Sequence, residues 1–223
     1  MTEGFELLDR DRIAAGCGGG LGRNVLVYRE TASTNDLATQ LAEHGEAEGM
    51  VVFAERQTAG RGQFGRKWVS ADGAGLWFSL LLRPRWPTTE WKRITSLVAV
   101  SVSQALEAET GLAMRIKPPN DLYIGIRKVV GVLTEARTGR APFAVVGIGV
   151  NVNQLQEDFP LELQASATSL RIEKGVWIER EAVAVAILRE LNARYSPDAL
   201  PDGAVDEAFR ALSQRPICGN FAA

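Results

Sequence analysis

The chain has 223 residues, of which 46% are hydrophobic and 23% charged, and its formal net charge is -2. These proportions are typical of a globular protein, and the length fits one large domain or one domain with a small appendage. Because the net charge is close to zero, the protein as a whole does not attract nucleic acid or an anionic membrane. Phosphate binding would therefore need a local cluster of cations.

Thiols and imidazoles are scarce in the sequence. Cys17 and Cys218 are the only cysteines and His44 is the only histidine, so a zinc site of Cys and His ligands cannot be assembled. Two isolated thiols are typical of a protein in a reducing cytosol. Residues 1–12 lack the apolar segment of a signal peptide, and no apolar run is long enough to span a membrane. We therefore expect a cytoplasmic protein. His44 stands between Glu43 and Glu46 late in a predicted helix, so we expect it to be a solvated surface residue.

Hydrophobic patterning predicts short strands in succession, with few helices between them. Strands are predicted at 24–30, 50–55, 76–83, 113–117, 121–126, 129–136 and 143–152. Helices are predicted behind the Ser-Thr-Asn-Asp sequence that begins at Ser33, over 91–110 before Gly111, over 179–195 and over 204–212. Residues 1–23 are expected to form a lead-in of a short helix and a loop. Strands that follow each other without regular helical crossovers favour an α+β domain with a mixed sheet over a doubly wound parallel sheet.

Residues 60–68 have the sequence Gly-Arg-Gly-Gln-Phe-Gly-Arg-Lys-Trp. The glycine spacing matches a dinucleotide-binding fingerprint, but that site needs a helix directly afterwards, and residues 68–75 cannot begin one. The segment is therefore predicted to be a loop. Its glycines allow backbone N–H groups to approach an anion, and Arg61, Arg66 and Lys67 supply positive charge. A loop that binds phosphate or adenylate and a solvated basic hairpin are the two interpretations that remain.

Three further segments combine strands with polar residues or glycines. At residues 117–123 two prolines predict a rigid turn, which would allow Lys117 and Asp121 to face one site. A purely structural turn would give the same pattern. Residues 127–133 place a basic pair before an apolar strand with an interior glycine. In residues 147–153 alternating glycines precede asparagines, and glycines on one strand face would leave a slot for a flat or slender ligand.

Together these segments resemble the catalytic domain of biotin protein ligases. Five family motifs occur in order: Ser-Thr-Asn at 33–35, Gln-x-x-Gly-Arg-Gly-x-x-Gly-Arg-x-Trp at 57–68, Lys-x-Pro-Asn-Asp at 117–121, Arg-Lys-x-x-Gly-x-Leu-x-Glu at 127–135 and Gly-x-Gly-Val-Asn at 147–151. Five motifs in this order are far more specific than any one of them. The resemblance implies an α+β fold of the class II aminoacyl-tRNA synthetase and biotin synthetase type. It implies a catalytic domain over 24–212 and a tail over 213–223.

The resemblance also implies the chemistry. Such an enzyme uses ATP and Mg²⁺ to convert biotin to biotinyl-5′-AMP, and then biotinylates a lysine of a biotin carboxyl carrier protein of acetyl-CoA carboxylase or a related carboxylase. The implied catalytic residues are Lys128, Arg61, Lys117 and Asp121. The implied biotin site consists of Ser33, Thr34, Asn35, Gln57, Arg61, Gly62, Gln63, Lys128 and Gly131. The implied ATP and adenylate site consists of Arg61, Arg66, Lys67, Trp68, Lys117, Asn120 and Asn151. We expect no metal ligands in the protein itself and no nucleic acid or membrane partner, and a homodimer is compatible with the sequence.

The sequence departs from the family pattern at two motif positions. Pro118 replaces the usual Trp, and Gln63 replaces an Arg that many members carry. We do not expect the family's small C-terminal barrel, or the N-terminal DNA-binding domain of its bifunctional members, within these 223 residues. Two alternatives remain open. One is a lipoate or octanoate transferase of the same broad fold, and the other is a degenerate paralogue that binds biotin or adenylate without catalysis.

Overall fold

The structure, a computed structural model, describes residues 7–217. Its helices are α1 (Arg10–Cys17), α2 (Thr34–Glu43), α3 (Lys92–Thr110), α4 (Leu170–Lys174), α5 (Arg180–Arg194) and α6 (Gly203–Gln214). Its strands are β1 (Asn24–Thr31), β2 (Met50–Gln57), β3 (Gly75–Leu82), β4 (Arg115–Lys117), β5 (Asp121–Ile124), β6 (Arg127–Arg137) and β7 (Phe143–Asn151). All predicted strands and helices are present, and the short helix α4 is an addition that the patterning did not predict.

The strands form one sheet in the order β1-β2-β3-β7-β6-β5-β4. β1 and β2 run parallel, and every other neighbouring pair runs antiparallel. The predicted α+β class with a mixed sheet is therefore confirmed. Because β7 lies between β3 and β6, residues that are far apart in the chain lie side by side in the centre of the sheet.

Element boundaries differ from the sequence prediction where turns intervene. The strand predicted over 121–126 ends at Ile124, because Gly125 takes a φ of 56° and turns the chain into β6. β6 consequently begins at Arg127, two residues earlier than predicted. β2 extends to Gln57, so the start of the predicted loop is strand. Gly111, with a φ of 70°, ends α3 as predicted.

The two faces of the sheet are covered to different extents. On one face, side chains such as Phe53 pack under α1, α3, α5 and α6 and form the main hydrophobic core. On the other face α2 covers only one end, where Leu81 and Val145 are buried. Side chains alternate along a strand, so Gly147 and Gly149 share the face of Val145. This second face is therefore open beyond the N-terminus of α2, over a floor that includes glycines.

The lead-in predicted over 1–23 contains α1, which packs against α5. Leu8, Ile13 and Cys17 belong to the main core, and burial raises the pKa of the Cys17 thiol to about 11. The boundary drawn at residue 23 stays a prediction, as does the tail over 213–223, whose first residues continue α6. Cys218 lies outside the described residues.

The structure confirms the expectation that His44 lies on the surface. His44 is exposed at the end of α2, and its Nδ1 lies 2.7 Å from the carbonyl oxygen of Gln40. Over residues 7–217, every helix is too short or too polar to cross a bilayer.

Candidate functional site

A cavity of about 280 Å³ opens on the partly covered face of the sheet, beyond the N-terminus of α2. Its walls are the first turn of α2, the loop after β2, the turn between β4 and β5, and the segment 159–167. The cavity brings together every site residue that the sequence predicts: Ser33, Thr34, Asn35, Gln57, Arg61, Gly62, Gln63, Arg66, Lys67, Trp68, Lys117, Asn120, Asp121, Lys128, Gly131 and Asn151. Their individual roles stay predictions.

The N-terminus of α2 forms one wall of the cavity. Ser33 occupies the N-cap position, as predicted, but its side chain caps no N–H group among residues 7–217. Instead, the Thr34 N–H donates to Gln57 Oε1 at 2.9 Å, so a side chain from β2 satisfies this helix end. Ser33, Thr34 and Asn35 are each only 3% exposed, which makes this wall both polar and rigid.

Behind this wall, polar side chains form a hydrogen-bonded chain. Asn35 Nδ2 donates to Glu135 Oε2 at 2.7 Å, and Asn35 Oδ1 lies 2.6 Å from Ser79 Oγ. Ser79 Oγ also lies 2.7 Å from Thr34 Oγ1. Ser79 is fully buried in β3, so these contacts replace its hydrogen bonds to water.

The proton positions in this chain follow from the groups that can only accept. A carboxylate only accepts, so Glu135 orients the Asn35 amide with its NH₂ toward Glu135 and its oxygen toward Ser79. An amide oxygen also only accepts, so the single Ser79 proton is donated to Asn35, and the Thr34 hydroxyl has two acceptors for its proton, Ser79 Oγ at 2.7 Å and Gln57 Oε1 at 3.2 Å. Thr34 and Asn35 are thus left with acceptor capacity. Gln57, whose oxygen is bonded to the Thr34 N–H, has its NH₂ group left to donate.

Two carboxylates hold the guanidinium of Arg61. Its Nη1 donates to Asp36 Oδ2 at 2.6 Å, and its Nη2 lies 3.2 Å from Glu135 Oε2. The bond to Asp36 is the main cause of a raised pKa of Arg61, and Glu135 adds to it. Arg66 extends elsewhere, with its guanidinium carbon 5.9 Å from the centroid of the Phe64 ring. The arginines of the predicted cationic loop therefore do not form one cluster: Arg61 contacts two carboxylates, and Arg66 lies beside Phe64.

A second group of charges surrounds Lys128. Its Nζ lies 2.7 Å from Asp121 Oδ1 and 5.2 Å from the centroid of the Trp68 ring. Lys117 pairs with Asp121 across the β4–β5 hairpin, and its Nζ lies 5.3 Å from the centroid of the Tyr123 ring. The rigid turn therefore brings a cation and a carboxylate to one site, as the sequence predicts. The cluster also adds the second cation from β6.

Two asparagines of the site connect its walls through backbone hydrogen bonds. Asn120 Nδ2 donates to the carbonyl oxygen of Val132 at 2.6 Å, and Asn151 Nδ2 donates to that of Thr168 at 2.9 Å. Asn120 thereby connects the proline turn to β6, and Asn151 connects β7 to the segment before α4. Both side chains stabilise the shape of the cavity, whatever they contact in a ligand.

The glycine floor is occupied by a side chain of the protein itself. A Cβ atom at Gly131 or at Gly149 would lie 2.6 Å from the Trp68 ring, so only glycine allows the indole to lie this close to the sheet. The slot predicted for a flat ligand thus contains an indole here. The Trp68 Nε1 atom is buried with no hydrogen-bond partner in the described part of the chain.

Three residues that contribute to the site were not assigned from the sequence. Ser79 is the one hydroxyl in an otherwise apolar strand of eight residues, a signal that could have identified it. Glu135 is the last residue of the Arg-Lys-x-x-Gly-x-Leu-x-Glu motif, but the resemblance was not used to assign it a role in the site. Asp36 follows the Ser-Thr-Asn motif directly, and no local pattern distinguishes it from an ordinary charge in a first helical turn.

Comparison with known proteins identifies the family. Residues 27–153 match the Biotin/lipoate A/B protein ligase family. The biotin–[acetyl-CoA-carboxylase] ligase of Mycobacterium tuberculosis is 35% identical over 216 residues, which cover 92% of this chain and 76% of that protein. The bifunctional ligase/repressor BirA of Bacillus spizizenii is 44% identical over 173 residues, which cover 76% of this chain and 53% of that protein. The chain thus spans about half the length of this Bacillus relative.

A solved structure agrees with these matches. The biotin protein ligase from Aquifex aeolicus in complex with biotin and ATP aligns with a TM-score of 0.67 at 32% identity, over 87% of this chain and 74% of that chain. The family match covers more than half of the chain and contains most of the cavity lining. The chain therefore belongs to the biotin/lipoate A/B protein ligase family.

Proposed function

We propose that the protein is a biotin protein ligase, which activates biotin with ATP and transfers it to a lysine of a carrier protein. The observation that carries the proposal is the composition of the cavity beside α2. One end offers neutral hydrogen-bonding groups at Thr34, Asn35 and Gln57, and the other parts contain the cations Arg61 and Lys128. Biotin has the matching halves, a neutral cyclic urea and an anionic carboxylate.

The first step joins two anions. A carboxylate oxygen of biotin forms a bond to the α-phosphorus of ATP, the bond from that phosphorus to the bridging oxygen breaks, and pyrophosphate leaves. Two like charges must approach to bonding distance, so cations fixed beforehand lower the barrier. Lys128 is our main candidate, because β6 and its contact with Asp121 hold the ammonium in the cavity. Arg61 and Lys117 are the further candidates.

The second step transfers the acyl group. The uncharged amine of the carrier lysine attacks the biotinyl carbon, an amide bond forms, and AMP leaves. The amine must lose a proton, and Asp121 is our candidate to accept it. In the structure the Asp121 carboxylate is bonded to Lys128, so we propose that Asp121 becomes available once Lys128 binds the adenylate phosphate. Trp68, Arg66, Lys67, Asn120 and Asn151 are proposed for the nucleotide side.

The carrier would be a biotin carboxyl carrier protein of acetyl-CoA carboxylase or a related carboxylase, and the enzyme would work in the cytoplasm, without nucleic acid and with a homodimer allowed. We propose that Mg²⁺ arrives bound to ATP. Residues 7–217 contain no group of three or more His, Cys, Asp or Glu side chains that could hold a metal ion. Mg²⁺ usually keeps several waters and is bound largely by substrate phosphates, and we propose the same here.

One experiment tests this proposal against the alternatives. The purified protein is incubated with ATP, biotin and a biotin carrier domain, while pyrophosphate release and the mass of the carrier are measured. We expect pyrophosphate release that depends on biotin, and a carrier that gains one biotinyl group. Activity with lipoate in place of biotin would indicate a lipoate ligase. Biotin binding without pyrophosphate release would indicate a non-catalytic paralogue.

A further inference from the structure

Glu135 contacts both functional halves of the site, although its side chain stands outside the cavity lining. One oxygen, Oε2, accepts from Asn35 Nδ2 at 2.7 Å and lies 3.2 Å from Arg61 Nη2. Asn35 belongs to the neutral wall of the cavity, and Arg61 belongs to the cationic loop. Glu135 is the only residue in the described part of the chain for which hydrogen bonds to both are found.

We propose that Glu135 is a positioning residue that sets the donor and acceptor polarity of the Asn35–Ser79–Thr34 chain, and thereby the preference of the site for a cyclic urea. The proposal rests on the proposed biotin function and deepens it. Glu135 acts through Asn35 and does not touch the substrate. A carboxylate is required because it is the side chain that can accept from Asn35 but can never donate to it.

This carboxylate is the main group that excludes the reverse polarity, because its contact with Asn35 Nδ2 is the shorter of two, 2.7 Å against 3.4 Å to the Leu133 carbonyl oxygen. If Asn35 turned its amide over, its NH₂ would donate to Ser79, the Ser79 proton would turn to Thr34, and Thr34 would donate elsewhere. Hydroxyl protons rotate easily, so the remainder of the chain would follow at little cost. With Glu135 present, the turned amide would set an oxygen against a carboxylate oxygen at 2.7 Å. Asn35 is 3% exposed, so water could not relieve that repulsion.

The local packing is built around this one amide. A Cβ atom at Gly147 would lie 2.3 Å from Asn35 Oδ1, so the glycine provides the space in which the amide lies against β7. Asn35 Nδ2 also lies 3.4 Å from the carbonyl oxygen of Leu133, a second acceptor on the same side. Both acceptors favour the same orientation, and Arg61 offsets the negative charge of Glu135.

The chemical consequence concerns the ring of the substrate. A cyclic urea has two N–H donors and one carbonyl acceptor. The chain as Glu135 orients it leaves acceptors at Thr34 and Asn35, and leaves the NH₂ of Gln57 to meet a carbonyl oxygen. An analogue in which an oxygen replaces one ring N–H, a cyclic carbamate, would set an acceptor against the acceptors at Thr34 and Asn35. The site should therefore prefer biotin, and the size of that preference reports the polarity of the chain.

The test compares the affinity for biotin with that for this cyclic carbamate analogue, both measured by calorimetry at one pH. The variants are Glu135→Met, which removes the acceptor, and Glu135→Gln, which can both accept and donate. Asp36→Asn separates the two contacts, because Asp36 bonds Arg61 at 2.6 Å without contacting Asn35. Glu30→Gln is the matched control, since Glu30 is also a strand carboxylate that pairs with an arginine, Arg56, at 2.8 Å, and it lies outside the cavity lining.

We expect the wild-type preference for biotin to fall about tenfold in Glu135→Met, the equivalent of one hydrogen bond, and by a smaller factor in Glu135→Gln. Asp36→Asn and Glu30→Gln should keep the wild-type ratio. An unchanged ratio in Glu135→Met would overturn the proposal, as would an equal fall in Asp36→Asn, because the effect would then pass through Arg61. If Glu135→Met does not fold, the decision rests on Glu135→Gln, where an unchanged ratio is again fatal to the idea.

The same data separate this proposal from the one on which it rests. Wild-type protein that does not bind biotin would refute the proposed function, and the role of Glu135 with it. Wild-type protein that binds biotin, together with variants of unchanged ratio, would refute the role of Glu135 alone. Thermal unfolding of each variant shows whether a change in ratio comes from a folded protein.

Discussion

Replacing Lys128 with alanine should separate catalysis from folding. The side chain is 28% exposed and its partner Asp121 is 16% exposed, so their ion pair is only partly desolvated. Losing such a pair at a partly wetted site changes the free energy of unfolding by about 1 kcal/mol. The same ammonium, placed beside an anion that develops in the transition state, is worth about 3 kcal/mol or more. We therefore expect the rate of adenylate formation to fall at least ~100-fold with little loss of stability.

The assay is pyrophosphate release in the presence of ATP and biotin, with thermal unfolding measured on the same preparation. Arg93→Ala is the matched control. Arg93 is 22% exposed and lies 2.6 Å from Asp206, so it loses a comparable ion pair, but it lies on α3 outside the cavity lining. It should show a similar change in stability and a wild-type rate. Near wild-type pyrophosphate release by Lys128→Ala would remove Lys128 from the mechanism.

Four further changes have distinct expected outcomes. Asp121→Asn should keep adenylate formation but slow transfer to the carrier at least ~10-fold, and equal slowing of both steps would argue against a base. Gly149→Ala should displace the Trp68 ring, which now lies 2.6 Å from the position of the new Cβ atom. Because Trp68 is proposed for the nucleotide side, the KM for ATP should rise more than the KM for biotin. Gln63→Arg should slow release of the adenylate, because a charge-assisted bond is roughly twice as strong as a neutral one; an unchanged off-rate means no contact. Burial raises the pKa of the Cys17 thiol from 9.0 to about 11, so its contribution to stability should be complete below pH 9 and lost between pH 9 and 11. Cys17→Ala in a Cys218→Ser background should remove that part of the alkaline loss in thermal unfolding, and an unchanged pH profile would contradict the assignment.

Much of the fold was predictable because its signals are local. Strands such as β3 and β7 are short apolar runs bounded by turns, and the long helix α3 has one apolar face and a glycine directly after it. The boundaries that were wrong depend on turn geometry: Gly125 ends β5 early, and no apolar period marks the five-residue helix α4. The start of α2 behind Ser33 was predicted, but its hydrogen bond to Gln57 was not, because the sequence does not show that Gln57 lies beside that helix end.

The polar residues that line the cavity were for the most part also identified from the sequence, through the resemblance of its motifs to a known family. Each motif is a short run of residues with glycines, cations or amides, and the two prolines of residues 117–123 were enough to predict that Lys117 and Asp121 face one site. Distances and partners across the sheet could not be derived in this way. They depend on the strand order, which no local period specifies.

The partners that the structure adds are the distant ones. Asn35 and Glu135 are 100 residues apart, and Arg61 and Glu135 are 74 apart. They meet because β7 inserts between β3 and β6 and the loop after β2 folds over that centre. Ser79 joins them only because alternation along β3 turns it toward α2. The sequence by itself determined most of the groups that make up the site, but not Ser79, Glu135 or Asp36. The tertiary structure decided which of them neutralise, orient and polarise each other, because those effects depend on distances of about 3 Å between residues far apart in the chain.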